Sequence, residues 1–310
     1  MSTIRISRAP LAVAIFVGLV LGVPLALHAQ ATVPVTTTVT VLGPKYTPPP
    51  PLTKDDLIVF SGKKRLPVVN WTPAHAPSAP LQLALLIDDA DQSSLGLQFN
   101  DIKNFINEQS KTTAVGIFYG QYGTVQTAAN FSTDHAAVAQ KLRLPLGRLF
   151  GGSPSIYLSV SDLIKKWPAT GARREVLLMA SGVDFLQPGI VDTYLDSAIA
   201  DAQRAGVVFH SIYIGPGRFG FSWRGDIAQS NLSRLTTETG GAAFFEGLST
   251  PVSFGPYLNQ LSMILRNQYL LTVNMERSKK KKGELVPFQV RTEQRNVAFS
   301  APKQVFVPGP

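Results

Sequence analysis

Leu81-Gln82-Leu83-Ala84-Leu85-Leu86-Ile87-Asp88-Asp89-Ala90-Asp91-Gln92-Ser93-Ser94 is the stretch that decides how this chain is read. An apolar run stops abruptly at two carboxylates. A short continuous apolar run bounded by polar residues reads as a strand buried on both faces of a parallel sheet. In open α/β sheets ligands bind just beyond the carboxyl ends of such strands. Asp88, Asp89 and Asp91, with the hydroxyls of Ser93 and Ser94, therefore stand where such folds put function. They offer hard oxygen ligands of the type Mg²⁺ or Ca²⁺ prefer. The same residues also read as a solvated turn that caps the next helix.

Working outward, strands and helices alternate. Thr113–Tyr119, Val125–Phe131, Arg174–Ala180, Val207–Ile214 and Ala242–Phe245 read as strands. Apolar residues recur at helical spacing over Leu97–Ile106, Leu158–Trp167, Ile190–Ala205, Ile227–Glu238 and Phe254–Arg266. Asp134 caps a helix over Ala136–Leu142, and Gly206 ends the one before it in sequence. This pattern predicts an α/β domain over residues 81–275, a doubly wound and mostly parallel sheet with helices on both faces. Leu83, Leu85, Ile87, Val176, Leu178, Val208 and Ile212 are its expected core.

The flanks read as β-rich. Residues 31–51 form a Thr/Val/Pro-rich linker, with Val33–Val41 as an isolated or edge strand and Pro48–Pro51 as a polyproline II spacer. Residues 52–80 form a short β preface, with strands at Leu57–Phe60 and Pro67–Trp71 around the turn Ser61–Lys64. Residues 276–310 form a β-rich extension. Leu270–Val273 is expected to pair with Phe288–Arg291 as a hairpin, leaving Lys279–Lys282 exposed at its tip, because burying four ammonium groups is prohibitive.

Residues 1–30 carry the marks of a signal peptide: Arg5 and Arg8, an apolar stretch Pro10–Leu27, and the small-x-small site Ala29-Gln30-Ala31. The expected location is secreted or periplasmic, within the cell envelope, with a membrane role only if that segment stays uncleaved. The chain has no cysteine, which excludes thiol nucleophiles, thiolate metal sites and disulfides. Its formal charge of +9 falls to near +7 once Arg5 and Arg8 leave. The lysine run lies between two strands, as a solvated loop does, so nucleic acid is not an expected partner.

The order strand, acidic loop, helix, then a strand ending in Ala180-Ser181-Gly182-Val183-Asp184, resembles a von Willebrand factor type A (vWA) domain. With its leader and β flanks the chain looks most like the secreted VWFA-related proteins of Acidobacteria. The resemblance implies a metal-ion-dependent adhesion site (MIDAS) in the top loops, built on Asp-x-Ser-x-Ser, a second-loop Thr and Thr-Asp-Gly. Here Asp88 matches the first Asp, but Ala90 and Gln92 stand for the serines and Ser181 for the loop carboxylate. Ser153, Ser155 and Ser159 are all candidates for the second loop. A shifted register over Asp89, Asp91 and Ser93, with Asp184 added, restores some ligands. With two hydroxyls and a carboxylate lost, any Mg²⁺ or Ca²⁺ binding is expected to be weak, and no other cofactor is implied.

Gly215-Pro216-Gly217-Arg218-Phe219-Gly220 spells a dinucleotide fingerprint. Its context fails, since helix signals begin only near Asp226. The loop instead offers Arg218, Phe219, Trp223 and Arg224 as a partner-contact patch. No histidine stands beside a serine at a strand end, and no G-x-S-x-G occurs. The reading is an exported, non-catalytic, protein-binding adhesion-type module with a degenerate metal site. Two alternatives remain: a metal-dependent hydrolase using Asp88, Asp89 and Asp91, or a ligand-free envelope scaffold.

Overall fold

The seven residues expected in the sheet core are all buried, each at most 3% exposed. The computed structural model describes residues 32–44, 47–74, 79–90, 93–147, 155–168, 170–187, 189, 191–215 and 223–310, with the side chains of Ser93, Ser94 and Trp223 excepted. Among these the strands are β1 (Thr32–Leu42), β2 (Ile58–Ser61), β3 (Lys64–Leu66), β4 (Val68–Pro73), β5 (Leu81–Asp88), β6 (Thr113–Gln121), β7 (Thr124–Ser132), β8 (Arg173–Ala180), β9 (Val207–Tyr213), β10 (Ala243–Phe244), β11 (Gln268–Glu276), β12 (Glu284–Pro287), β13 (Gln289–Arg291), β14 (Ala298–Ser300) and β15 (Gln304–Val307). The α-helices are α1 (Phe99–Asn107), α2 (His135–Ala139), α3 (Ile156–Lys166), α4 (Thr193–Ala205), α5 (Trp223–Thr239) and α6 (Gly255–Arg266).

The central sheet has the order β10-β9-β8-β5-β6-β7, with only the β6–β7 pair antiparallel. It is the α/β, doubly wound, mostly parallel sheet that the apolar runs predict. Along β5 the side chains alternate between faces. Leu81, Leu83, Leu85 and Ile87 join the core under α1, α2 and α6, which supply Ile102, Val138 and Leu258. Ala84 and Leu86 join the opposite core under α3, α4 and α5, with Val160, Ala198 and Leu232. Helices on either side therefore flank β5 and β8, and the chain reverses its winding there. That reversal is where α/β sheets open a crevice beyond the strand ends.

The flanks depart from the sequence expectation. The hairpin between Leu270–Val273 and Phe288–Arg291 does not form. Instead β11 lies between β1 and β4, in the sheet order β14-β1-β11-β4. The physical reason is extent. β1 pairs with β11 in a nine-residue register that buries Val33, Val35 and Val39 with Leu271 and Val273, whereas β13 offers three residues. β13 pairs with β2, and β12 with β15. Val33–Val41 is accordingly neither isolated nor an edge: β1 is an interior strand, so residues 31–51 are not all linker. The turn at Ser61–Lys64 joins β2 to β3, while Val68–Pro73 goes to the other sheet as β4. Residues from before and after the α/β region thus share one apolar core, from Val33 to Val307.

The lysine run does form an exposed turn. Gly283, at φ +71°, closes it by donating to the Lys280 carbonyl at 2.8 Å. A Cβ there would meet the Val307 carbonyl at 2.6 Å, so both the backbone angle and the space call for glycine.

Candidate functional site

The acidic pair at the end of β5 is split by the pleat. Asp88 follows Ala84 and Leu86 toward α3, and Asp89 turns to the other side. Asp88 is buried, and its Oδ1 accepts from the Ala90 amide at 3.0 Å. Asp89 is fully buried and clamped by Arg143, whose Nη1 and Nη2 donate to its two carboxylate oxygens at 2.7 and 2.8 Å. The Leu146 amide donates to Asp89 Oδ1 at 3.0 Å, and the Gly147 amide to the Asp89 carbonyl at the same distance. Arg143 also lies over the Tyr119 ring, 3.8 Å from its centroid. Hydrogen bonding to Asp89 foremost holds the Arg143 guanidinium above its ordinary range. Asp89 therefore spends its charge on tying the 143–147 segment to the strand end.

On the α3 side a second set of polar groups gathers. β8 ends at Ala180, and Ser181 and Asp184 follow it, both buried. Gly182, at φ +71°, turns the chain where a Cβ would meet Leu232 Cγ at 2.7 Å. Asp184 Oδ1 accepts from the Leu186 and Gln187 amides at 2.7 and 3.0 Å. Asp192 caps α4, its Oδ1 accepting from the Tyr194 and Leu195 amides at 3.0 and 2.9 Å. The second oxygens of Asp184 and Asp192 are buried with no donor among the described residues. Burial foremost pushes the Asp192 carboxyl up, against the pull of the Leu195 amide, and neighbouring Asp184 adds to the rise.

Tyr157 of α3 is fully buried among these acids and donates to the Gly182 carbonyl at 3.0 Å. Burial first, then Asp192, Asp184 and Asp88, push its hydroxyl well above the usual tyrosine range, so it remains a donor. Ser155, at the N-cap of α3, and Ser159, one turn on, are fully buried, and their hydroxyls have no hydrogen-bond partner among the described residues. Burying a hydroxyl unpaired is costly. The cost falls here on two of the three serines that the sequence offered for the second loop; Ser153 lies outside the described residues.

The structure thus brings Asp88, Ser181 and Asp184 to one end of the sheet and sends Asp89 to a separate role. Asp91 lies outside the described residues, as does the side chain of Ser93. Among the described residues no three His, Asp or Glu side chains converge as a metal-ligand set. In the contact loop, Arg218, Phe219 and the side chain of Trp223 also lie outside the described residues. Arg224 is exposed in the first turn of α5. That helix starts at Trp223 rather than near Asp226, so Arg224-Gly225-Asp226 is helical and not turn-like.

Sequence reasoning missed the rim. The loops at the same end of the sheet carry exposed apolar side chains: Val252 at 97%, Leu97 at 83% and Val191 at 74%, with Leu144, Leu146 and Leu186 about half exposed. They come from the loops after β5, β8 and β10 and from the segment that Asp89 holds. Gln98 Nε2 donates to the Val252 carbonyl at 3.1 Å, tying two of these loops together. Arg143, Tyr157 and Asp192 were also missed. Only Asp192 left a signal, as an N-cap residue before a helical run.

No family model matches the sequence, and no curated protein matches it. Among solved structures the chain is similar to an aerotolerance-related membrane protein from Bacteroides fragilis, at 11% identity over 60% of this chain and 98% of that one, with a TM-score of 0.43. It is similar to the SpRpn10 VWA domain at 12% identity, over 60% of this chain and 97% of that one, with a TM-score of 0.43. A third likeness is to the ArnB paralog VWA2 from Sulfolobus acidocaldarius, at 8% identity over 90% and 76% of the two chains, with a TM-score of 0.41. vWA domains are therefore among the structures it resembles, and the strand order above independently gives the α/β class.

Proposed function

We propose that this is an exported, non-catalytic binding protein of the vWA type, which docks a protein partner on its top loops through a degenerate metal-ion-dependent adhesion site. The observation that carries the reading is the set of exposed apolar side chains on the loops at the same end of the sheet as the buried acids, where its winding reverses. Contiguous exposed apolar surface rimmed by polar groups marks protein-contact sites. The leader features of residues 1–30 support export.

The hydrolase alternative needs Asp89 as a ligand, and Arg143 holds both of its oxygens. The described histidines are also engaged elsewhere: His135 with the Thr113 carbonyl at 2.8 Å, and His210 with Glu175 at 2.8 Å. Any partner is then held by apolar contact and hydrogen bonds rather than through a bridging ion.

Two measurements test this. A photo-crosslinking residue at Val252, in the chain expressed in its own host, is expected to give a discrete protein adduct that the same residue at Glu108, at the opposite end of α1, does not. Adducts from neither position overturn the docking reading in favour of a ligand-free scaffold. Calorimetric titration is expected to give Mg²⁺ or Ca²⁺ binding no tighter than roughly millimolar. A micromolar isotherm that disappears in Asp88→Ala overturns the degenerate site.

A further inference from the structure

The topology gathers basic residues from two separated parts of the sequence at one end of the β flank. β1 and β11 run antiparallel, with Thr32 opposite Glu276. The β2–β3 turn places Lys63 and Lys64 beside them, and Lys64 is ion-paired with Glu276. Just past β11 the chain enters the exposed turn Lys279–Lys282. Arg277 Nη1 donates to the Gly309 carbonyl at 2.9 Å, and the Ser278 amide to the Pro308 carbonyl at 3.2 Å, which pins this turn to the last strand's exit. The acids at this end are already engaged: Glu276 with Lys64, and Glu284 with Lys280 at 2.8 Å and Ser278 at 2.8 Å. Lys63, Lys279, Lys281 and Lys282 are exposed and add charge that these acids do not offset.

Two further features select among anionic partners. First, Thr32 sits at this same end, so the sequence leading into the fold joins here, and that sequence contains the apolar stretch Pro10–Leu27. While that stretch remains attached, chain connectivity alone links it to this end of the fold. Second, the cluster is built from lysines, which act as hydrated point charges, and not from the planar arginine forks used for reading nucleic acid. The end is also far from the top loops. Gln268, at the other end of β11, meets the start of β8, since Arg173 and Glu175 both hydrogen-bond to it. Eight further steps along β11 carry the chain roughly 27 Å from there to Glu276.

We propose that the Lys63/Lys64 and Lys279–Lys282 turns form a surface that lies against anionic phospholipid headgroups, leaving the top loops free for a partner. The attraction is that of a juxtamembrane polybasic segment, where each lysine near the surface strengthens binding roughly five-fold. The inference stands on charge and topology and does not depend on the partner-docking reading: the two use different residues and different assays.

The test uses the Ala31–Pro310 unit, which contains every described strand and helix as one compact body. Its sedimentation is measured with phosphatidylcholine vesicles and with vesicles containing phosphatidylglycerol. Binding is expected only with phosphatidylglycerol, and it should weaken as salt rises, because the Debye length shrinks to about 8 Å at physiological ionic strength. The variant K63S/K279S/K281S/K282S should bind at least roughly 100-fold less, from four lysine increments. Its thermal melt should match the parent's, since all four side chains are exposed. Equal binding to both vesicle types, equal binding by the variant, or no vesicle binding by the parent would each overturn the proposal. So would tight binding to duplex DNA in the presence of vesicles, which would reassign the surface to nucleic acid.

Discussion

β8 carries buried acid toward both of its ends, and the two ends are treated differently. At its start, Glu175 is fully buried with both oxygens supplied with donors: Arg173 at 2.6 Å, His210 Nε2 at 2.8 Å and Gln268 Nε2 at 3.1 Å. His210 Nδ1 in turn accepts from the Ala242 amide at 3.2 Å. Beyond its other end, Asp184 and Asp192 each keep one buried oxygen without a donor among the described residues, as do two serine hydroxyls without a partner. The first arrangement joins the α/β sheet to β11 of the flank. The second leaves polar capacity unused at the end of the sheet that carries the apolar rim. Both carboxylate oxygens of Glu175 are satisfied, although the Nε of its partner Arg173 is buried without an acceptor among the described residues. Neither of the two oxygens at the other end has that cover, and incomplete satisfaction in a native fold calls for an explanation, with function prominent among them.

The sharpest way to break this contrast is to remove Glu175. Glu175→Ala strands a buried arginine that is 5% exposed, and breaking a buried pair from one side costs about 3–5 kcal/mol. Urea unfolding should show a loss of that order. A loss under about 1 kcal/mol would mean that the network does not hold the flank to the sheet. The same group sets a pH dependence. Burial pushes the Glu175 carboxyl up, but Arg173, His210 and Gln268 together outweigh it and hold the group below its ordinary range. A depressed folded value means the unfolded chain binds more protons, so stability is complete above the unfolded value of about 4.3 and is lost as pH falls through the lower folded one. Glu175→Gln should flatten that acid limb, which unfolding curves between neutral pH and pH 3 would reveal.

Asp89→Ala comes next in size. It removes the acceptor for three donors, yet Arg143 is 38% exposed and can turn to water. The expected cost is about 2 kcal/mol, below that of Glu175. Hydrogen exchange should locate the opening at residues 143–147. If exchange there is unchanged, Asp89 does not hold the segment and returns as a free carboxylate for the site.

How much of this was legible follows from what each signal depends on. The apolar runs of β5, β8 and β9 fix burial locally, so the sheet and its core could be read from Leu85, Leu178 or Ile212 one at a time. The pleat that separates Asp88 from Asp89 was also present in the alternation. It went unused because a run that is apolar at every position hides which face each residue takes. The β flank was misread because its pairing spans most of the chain: Thr32 meets Glu276, and no local pattern encodes that register. Arg143 reaches Asp89 across 54 positions, and Val252 meets Gln98 across 154, so neither the clamp nor the rim had a sequence signature.

Asp192→Asn should sharpen the comparison with the opposite sign. Asparagine keeps the N-cap bonds to the Tyr194 and Leu195 amides and removes a carboxylate that faces Asp184. At neutral pH the variant should equal or exceed the parent by up to about 1 kcal/mol, read from the urea midpoint. Asp192→Ala, which loses the cap, should cost about 1 kcal/mol instead. If Asn destabilises as much as Ala, Asp192 is a satisfied structural acid like Glu175, and the contrast between the two ends of β8 fails.

The smallest effect on stability is expected at the rim, and there a null result carries the information. Val252 is 97% exposed and Leu97 is 83% exposed, so the folded state gains little from either side chain. Val252→Ser and Leu97→Ser should stay within about 0.5 kcal/mol of the parent by thermal unfolding. The paired variant should also lose less than about 1 kcal/mol, since neither residue closes a cavity. On the proposed reading, apolar side chains that contribute nothing to folding, yet project from loops held by Asp89, Asp184 and the Gln98–Val252 bond, serve contact with another molecule. The same paired variant should therefore abolish the adduct formed from a photo-crosslinker at Leu186, with its melting curve unchanged. An adduct that persists at full yield would move the contact off this face and leave the partnerless oxygens at that end of the sheet without a functional account.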